Sequence, residues 1–291
     1  MSAAKFYKID RETGVISCKL CPVGCIIKAG QTGFCGARKN ENGSLKAGYY
    51  GRLSSIALDS IEKKPLYHFY SGTKILSVGS FGCNMHCSFC QNHGISMHKP
   101  GFIELDDEYY SPKLIAKAAE KYIPDGNIGV AYTYNEPFIN YEFMYDCCVR
   151  VRERELKNVI VTNGYVNPEP LRELLPYVDA MNIDIKSFRE SFYKTMGGKL
   201  SDVKKTVESA ARHCHVELTS LIIPGENDNL EEMENEAKWI AGINDEIPLH
   251  LSRFFPNYRM TDKAPTDIAV LEALQKAAQK YLKHVYLGNI N

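Results

Sequence analysis

The sequence lacks the features that mark exported, membrane and nucleic-acid-binding proteins. No apolar run approaches the roughly 20 residues that span a bilayer, and the first ten residues, MSAAKFYKID, contain no apolar signal segment. Its 35 basic residues are balanced by 35 acidic ones, so no dominant nucleic-acid signature is present. We therefore expect a cytoplasmic protein with neither a membrane nor a nucleic-acid partner.

Two further patterns are missing. There is no Gly-x-Gly-x-x-Gly fingerprint of a dinucleotide-binding domain, and no internal repeat. Otherwise the composition, with 44% hydrophobic and 24% charged residues, is ordinary for a globular protein. A length of 291 residues fits one large α/β domain with a small appendage.

Cysteine is the residue in excess, with ten in the chain. Without an export signal, clustered cysteines are more often metal ligands or redox groups than disulfides. Seven of them form two clusters, which are Cys18, Cys21, Cys25 and Cys35, and then Cys83, Cys87 and Cys90. The other three, Cys147, Cys148 and Cys214, lie in apolar helix-like contexts and are predicted to be ordinary buried cysteines.

From about residue 74, short apolar runs alternate with amphipathic stretches. The predicted strands are 75–80, 128–134, 159–163, 180–185, 216–223 and 248–255. The predicted helices are 111–123, 138–155, 168–175, 201–214, 229–242 and 267–283, the last followed by a short run, HVYLG. Strands that alternate with helices indicate a parallel sheet with right-handed crossovers. A doubly wound sheet and a partial barrel both satisfy this pattern.

Polar residues lie within or just beyond four successive predicted strands. They are Tyr134, Asn135 and Glu136, then Thr162 and Asn163, then Asp184 and Lys186, and finally His250. In parallel α/β folds, ligands bind at the carboxyl ends of the strands. The sequence therefore predicts a ligand site at one rim of the sheet.

The second cysteine cluster has C-x3-C-x2-C spacing directly after the first predicted strand of this pattern. Three thiolates on one loop can hold three corners of an iron–sulfur cluster and leave one iron open to an external ligand. The alternative is a zinc site completed by His86 or His93. Three cysteines after a first parallel strand are an unusual design for zinc, so the cluster is favoured.

The first cysteine cluster offers four thiolates and hence a closed coordination shell. Gly24, Gly30 and Gly33 supply the tight turns that allow the sulfurs to converge. Zinc and an auxiliary iron–sulfur cluster both fit, with structural zinc preferred by a small margin. Residues 15–38 contain little apolar surface, so we expect this segment to fold only around metal.

The cysteine loop, with Phe89 before its last cysteine, resembles the radical S-adenosylmethionine (SAM) signature. The segments AYTYNEP, TNG and DIK resemble those of pyruvate formate-lyase activating enzyme. IIPGEND, HLSRFFPNYRMTD, DSIEKKPLYHFY and the N-terminal cysteine pattern are similar to the radical SAM protein of the AmmeMemoRadiSam system. This similarity covers essentially the whole chain.

The resemblance implies a fold, a cofactor set and a site. The fold would be a partial (β/α)6 TIM-type barrel, residues 51–291, with a metal-binding four-cysteine segment and connector in residues 1–50. Cys83, Cys87 and Cys90 would ligate a four-iron, four-sulfur cluster whose open iron binds SAM. The SAM-binding residues would be Phe89, Asn92, Asn135, Glu136, Thr162, Asn163, Asp184, Lys186 and His250. Lys186 suits the methionine carboxylate, while Asp184 and Thr162 suit the ribose or a cation.

The implied activity is that of an anaerobic radical SAM oxidoreductase of the activating-enzyme type. Reductive cleavage of SAM would give methionine and a 5′-deoxyadenosyl radical that abstracts hydrogen from a protein, such as a glycine. No protein side chain would be catalytic, because the cofactor carries the chemistry. The alternatives are radical modification of a small molecule within the AmmeMemoRadiSam system and a non-catalytic electron-transfer role. An electron donor such as ferredoxin or flavodoxin would be a partner.

Three departures from the family pattern bear on this assignment. Tyr134 and Asn135 replace two glycines, so the backbone approach to SAM is expected to differ there. Val161 stands where the activating enzyme has an acidic residue, which removes one ligand of its cation site. The further cysteine pair that follows the Gly-Asn segment in similar proteins is not in this sequence.

Overall fold

The computed structural model describes residues 2–97 and 109–290. In this part of the chain the strands form one eight-stranded sheet and two three-stranded sheets. The N-terminal strands are β1 (Ser2–Ala3), β2 (Tyr7–Ile9), β3 (Ile16–Cys18), β4 (Ile26–Ile27), β5 (Arg38–Glu41) and β6 (Ser44–Ala47). The large sheet contains β7 (Ser55–Ser60), β8 (Lys74–Gly79), β9 (Asn127–Tyr132), β10 (Lys157–Thr162), β11 (Ala180–Asp184), β12 (His215–Ile222), β13 (Leu249–Arg253) and β14 (Val285–Gly288).

The helices lie mainly between the strands of the large sheet. They are α1 (His93–Ser96), α2 (Pro112–Lys121), α3 (Tyr141–Arg152), α4 (Pro168–Leu174), α5 (Glu190–Thr195), α6 (Leu200–Ala210), α7 (Leu230–Ile243) and α8 (Ile268–Ala278). Several begin as their sequences predict, because Ser111, Asn229 and Asp267 each accept a backbone N–H bond in the first turn. No helix within the two described ranges is long and apolar enough to cross a membrane.

Strand order distinguishes the two folds that periodicity allows. β8 to β14 pair in parallel and in chain order, and β7 pairs antiparallel with β8. A doubly wound sheet requires a reversal of strand order, which is not present among these strands. Because right-handed crossovers then place successive helices on the same face, the sheet curls around a lumen on its other face. The predicted partial barrel is confirmed.

The six predicted strands and six predicted helices are all present, with ends displaced by a few residues. Several other elements were not predicted from the sequence. They are β7, the short helices α1 and α5, and every strand before residue 50. The HVYLG run, for which no strand was predicted, forms β14. Strands of two to four residues are too short to show alternation. The segment 15–38 was expected to lack apolar packing, yet Ile16, Leu20 and Ile27 are fully buried in the main core.

One wall of the lumen is formed by the segment that follows β7. Its residues Ile61, Leu66 and Phe69 form an apolar cluster with residues of four barrel strands, which are Ile75, Ala131, Val159 and Ala180. The Glu217 carboxylate on β12 accepts the backbone N–H groups of Tyr67 and His68 at 3.0 and 2.7 Å. The segment is therefore fixed both by apolar packing and by a buried charge.

Glu217 also binds two imidazoles, with distances of 2.9 Å to His215 and 2.6 Å to His250. Burial would raise the pKa of Glu217, but hydrogen bonds from His215, His250 and the two backbone groups lower it to about 2. A carboxyl whose folded pKa is depressed stabilises the fold above its unfolded pKa of about 4.3, and this contribution is lost as pH falls.

We therefore expect Glu217→Gln to lower the unfolding temperature by several degrees at pH 7. A shift of about two pKa units corresponds to roughly 3 kcal/mol of stability. At pH 3 the difference from the wild type should shrink, since the wild-type contribution is then partly lost. Calorimetry at both pH values measures this, with Glu231→Gln on the exposed face of α7 as the control. An equal deficit at both pH values would contradict a role for the charge.

Candidate functional site

A cavity of about 340 Å³ opens at the carboxyl ends of the barrel strands, and Cys83, Cys87 and Cys90 lie on its wall. The loop that carries them follows β8 directly. A second part of the wall is mainly polar and comes from residues that end or follow β9, β10 and β11. The geometry thus brings three thiols and a polar chamber together, which is what a cluster with one open iron requires.

Backbone bonds from distant parts of the chain fix the cysteine loop. The N–H of His86 donates to the Met196 carbonyl, and that of Arg259 to the Ser88 carbonyl, both at 2.9 Å. Gly82 has φ = +86°, and a Cβ there would lie 2.3 Å from the Cys35 carbonyl oxygen. Only glycine allows this approach, so the loop entry is packed against the N-terminal segment.

The thiols are in surroundings that oppose negative charge. Burial raises the pKa of Cys87 to about 11. Burial, together with the charges of Glu136 and the neighbouring cysteines, raises the pKa of Cys83 further. Thiolates at these positions need a cationic partner, and metal ligation supplies one.

The Glu136 carboxylate joins the ends of β9 and β10. It accepts the Thr162 hydroxyl at 2.8 Å and the backbone N–H groups of Asn163 and Phe138 at 2.8 and 3.0 Å. Burial raises its pKa to about 7, although these hydrogen bonds act in the opposite direction. Glu136 and Thr162 both line the cavity. The carboxylate oxygens of Glu136 are largely engaged by these hydrogen bonds within the protein.

Asp184 and Lys186 form an ion pair of 2.7 Å on the cavity wall. Burial would lower the pKa of Lys186, but the Asp184 carboxylate and the Cys87 sulfur outweigh it and raise that pKa. The Lys186 ammonium therefore stays charged next to the cysteine loop. An ammonium group has three N–H donors, so a lysine that is paired with one carboxylate can still donate to a second anion.

The remaining predicted SAM residues on this cavity are Phe89, Asn92, Asn135 and Asn163. Phe89 is buried, and its ring is stacked against Phe192 with centroids 6.0 Å apart. Asn92 donates to the Tyr134 carbonyl at 2.7 Å, and Asn135 accepts the Ser80 N–H at 2.9 Å. The Asn163 amide donates to Asn84 at 2.9 Å and approaches the Cys83 sulfur at 3.6 Å.

His250 on β13 is in register with Thr219 on β12, which in turn is in register with Asp184 on β11. Its Nε2 contacts Glu217 at 2.6 Å. It lines an adjoining cavity and not the one that holds the cysteines. A role for His250 in binding SAM stays a prediction.

Tyr134, which stands in place of a glycine, adopts φ = +70°. Bulky side chains rarely take this left-handed conformation, and such strain concentrates at functional sites. Gly79 makes room for its ring, since a Cβ there would lie 2.8 Å from the ring edge. The Tyr134 hydroxyl then donates to Asp59 at 2.6 Å. The backbone thus takes a conformation that favours glycine, and the tyrosine ring is held in place by Asp59.

Cys18, Cys21, Cys25 and Cys35 line one small cavity, with room of about 10 Å³ between them, close to the size of a single water. Arg38 also lines it, is almost fully buried and pairs with Glu142 at 3.0 Å. Within residues 2–97 and 109–290, no three His, Cys, Asp or Glu side chains are already arranged to hold a metal ion. A metal at these cysteines therefore stays a prediction.

The two cysteine clusters share a wall. Asn84, between Cys83 and Cys87 in the cysteine loop, also lines the N-terminal cysteine cavity together with Cys21. The Phe34 ring, next to Cys35, stacks on His86 with centroids 4.0 Å apart. No role for Asn84 was predicted from the sequence, although its position inside the C-x3-C-x2-C motif indicates that it lies at the site.

Several residues of the cavity were missed by the sequence analysis. They are Lys63, Lys64, Thr219, Ser252 and Asn289. Thr219 and Ser252 lie on β12 and β13, so the rule of carboxyl strand ends could have found them. The lysines belong to the DSIEKK segment, and no spacing in the sequence places that segment in the lumen.

Comparison with known proteins agrees with this geometry. The Radical SAM superfamily matches residues 77–240. An uncharacterized protein of Methanocaldococcus jannaschii is 43% identical over 294 residues, which cover 100% of this chain and 86% of that protein. A 4-hydroxyphenylacetate decarboxylase activating enzyme of Clostridium scatologenes is 28% identical over 75 residues, covering 26% of this chain and 24% of its own. A radical SAM methyltransferase structure from Sphaerobacter thermophilus has a TM-score of 0.57 at 15% identity, covering 75% of this chain and 67% of its own.

The barrel, the cysteine loop and the matched sequence thus define one class of protein. The chain belongs to the radical SAM superfamily. Its relatives include activating enzymes, and the family implies a four-iron, four-sulfur cluster and SAM as cofactors.

The shared wall leads to a prediction for the N-terminal cysteines. Cys21→Ala should remove the metal that we expect there and, through Asn84, disturb the neighbouring loop. If the metal is zinc, the aerobically purified wild type should contain about one equivalent, because closed thiolate sites survive air, and the variant should contain none. Elemental analysis measures this, and Cys214→Ala, outside both clusters, is the control. Absence of zinc with iron well above about four per reconstituted chain would instead indicate an auxiliary cluster.

Proposed function

We propose that this protein is a radical SAM enzyme that reductively cleaves SAM for hydrogen abstraction. Cys83, Cys87 and Cys90 would hold a four-iron, four-sulfur cluster, which supplies the electron and the open iron for SAM. The observation that carries the proposal is that these three thiols share one cavity with the Asp184–Lys186 ion pair. Radical SAM cleavage needs a cluster and a cationic partner for the methionine carboxylate in the same chamber.

The protein's own residues would bind and orient SAM. The Lys186 ammonium suits the methionine carboxylate as a point charge, with Asp184 holding it in position at 2.7 Å. Glu136 holds Thr162 and Asn163 in place through buried hydrogen bonds, so the two can present fixed polar groups to the ligand. Asn163 Nδ2, 3.6 Å from the Cys83 sulfur, would support a thiolate there. His250, in register with Thr219, would contact SAM from the adjoining cavity.

We propose hydrogen abstraction from a protein as the first candidate reaction, possible targets including a glycine. The likeness to an activating enzyme supports this, although it covers only 26% of the chain. The second candidate is radical modification of a small molecule within the AmmeMemoRadiSam system, of which we propose that this chain is a member. A polar lumen cavity of about 660 Å³ favours that candidate. A non-catalytic electron-transfer protein would have no use for either cavity.

The other parts of the proposal follow from the same assignment. Residues 1–50 would form a metal-binding segment and residues 51–291 the radical SAM domain. The small space between the four N-terminal thiols supports structural zinc over an auxiliary cluster. An electron donor such as ferredoxin or flavodoxin would reduce the cluster in an anaerobic cytoplasm.

Removal of the three loop cysteines tests the cluster. Replacing Cys83, Cys87 and Cys90 with Ala should abolish SAM cleavage and the broad absorbance near roughly 400 nm that is typical of such centres. The anaerobically reconstituted wild type should bind about four irons at this site. The measurements are iron content, visible spectra and 5′-deoxyadenosine formation, with Cys147→Ala as the control. Full iron content and full SAM cleavage in the triple variant would refute the assignment.

Lys186→Ala tests the carboxylate site. It should weaken SAM binding about ten- to a hundred-fold, because loss of a charge-assisted contact costs roughly 1.5–3 kcal/mol. Cluster content should stay at the wild-type level, since Lys186 is not a ligand. Anaerobic equilibrium dialysis with labelled SAM gives the dissociation constant, and the exposed Lys113→Ala serves as the control. An unchanged constant would remove Lys186 from the site.

A further inference from the structure

A second cavity, of about 660 Å³, adjoins the one that holds the cysteines. The two share six wall residues, which are Lys63, Lys64, Tyr134, Thr219, Ser252 and Asn289. Its volume falls in the range of about 300–1,000 Å³ that is typical of small-molecule sites. Of the residues that line it, only Pro65 and Gly288 have no polar side chain. These side chains offer a ligand both apolar surface and polar groups.

Two lysines compete for one carboxylate at the junction of the cavities. Asp59 pairs with Lys64 at 2.8 Å and with Lys63 at 3.6 Å. Lys64 is almost fully buried, with its ammonium 4.7 Å from the centre of the Tyr134 ring. The Lys63 side chain is 70% exposed and makes the longer of the two ion pairs. Lys64 is thus held by Asp59 and Tyr134, whereas Lys63 can turn to another anion.

The other charged groups of this cavity do not neutralise Lys63. Glu62 accepts the Ser71 hydroxyl at 2.9 Å and the Gly72 N–H at 2.6 Å, so its carboxylate is engaged by that turn. His250 is bound to Glu217 at 2.6 Å. The formal charges of Asp59, Glu62, Lys63 and Lys64 cancel, yet among the described residues that line this space the one loosely paired charge, Lys63, is positive.

We propose that this cavity binds a small polar substrate by an anionic group, a carboxylate or a phosphate, and that Lys63 is its partner. The inference rests on the proposed function, since the shared walls place the ligand next to the proposed SAM chamber. Ser252 and Asn289, which are joined by a hydrogen bond of 2.9 Å, add polar groups around the same space. A glycine residue has no charge of its own for Lys63 to bind. The geometry therefore supports the second candidate of the proposed function, a small molecule, and specifies its class as an acid.

Binding of defined probes to the full-length, anaerobically reconstituted protein tests this. Equilibrium dialysis with labelled succinate and, separately, inorganic phosphate is performed with and without SAM, and SAM binding is measured on the same preparations. At least one anion should bind saturably. Lys63→Met should weaken it about tenfold, equivalent to roughly 1.4 kcal/mol. Lys63→Arg, which keeps the charge, should stay within about threefold of the wild type.

The exposed Lys113→Met is the matched control and should bind the anion as the wild type does. Binding of succinate alone or phosphate alone identifies the group. No saturable binding of either anion, or equal binding by Lys63→Met and the wild type, would overturn the proposal. So would saturable binding of the neutral probe N-acetylglycinamide in preference to both anions, which would indicate a polypeptide substrate. One further outcome is that the wild-type protein does not bind SAM but binds an anion in a way that depends on Lys63. This result would refute the proposed function and leave this inference standing.

Discussion

The parallel pairing of β8 to β14 in chain order is the constraint from which the site follows. Every strand in this series ends at the same rim, so residues far apart in sequence become neighbours. Cys83, Glu136, Thr162 and Asp184 each follow or end a different strand, yet all line one cavity. Right-handed crossovers place the helices outside and keep the lumen free for ligands. A single change in strand order would separate these groups.

Two buried carboxylates in this lumen are stabilised because several hydrogen-bond donors surround each of them. Glu136 accepts three donors from two strand ends, and Glu217 accepts four from the wall segment and two strands. Such bonds offset the cost of burial and fix the groups that donate them. Asp184 and Asp59 have a different role, because each pairs with a lysine that faces a cavity. The saturated carboxylates hold the structure together, and the paired ones leave cations available to ligands.

Much of this could be predicted from the sequence, because the relevant signals are local. The alternation of apolar runs identified the strands, and the spacing of Cys83, Cys87 and Cys90 identified the loop. Depth along a strand and the path of irregular segments are not local properties. For that reason the sequence did not show that His250 lines the adjoining cavity, and Lys63 and Lys64 were not assigned at all. The short N-terminal strands were missed because their pairing, and not their own pattern, defines them.

The N-terminal segment is coupled to the radical SAM loop by contacts that leave little freedom to either. Gly82 lies against the Cys35 carbonyl, Phe34 lies on His86, and Asn84 lines the cavity of the N-terminal cysteines. Asn84 also accepts a hydrogen bond from Asn163, which approaches the Cys83 sulfur, so the wall of the N-terminal cysteine cavity adjoins the proposed SAM chamber. Packed polar contacts of this kind transmit displacement because the interior cannot be compressed. The position of the loop thus depends on how the N-terminal cysteine segment packs, with or without a bound metal.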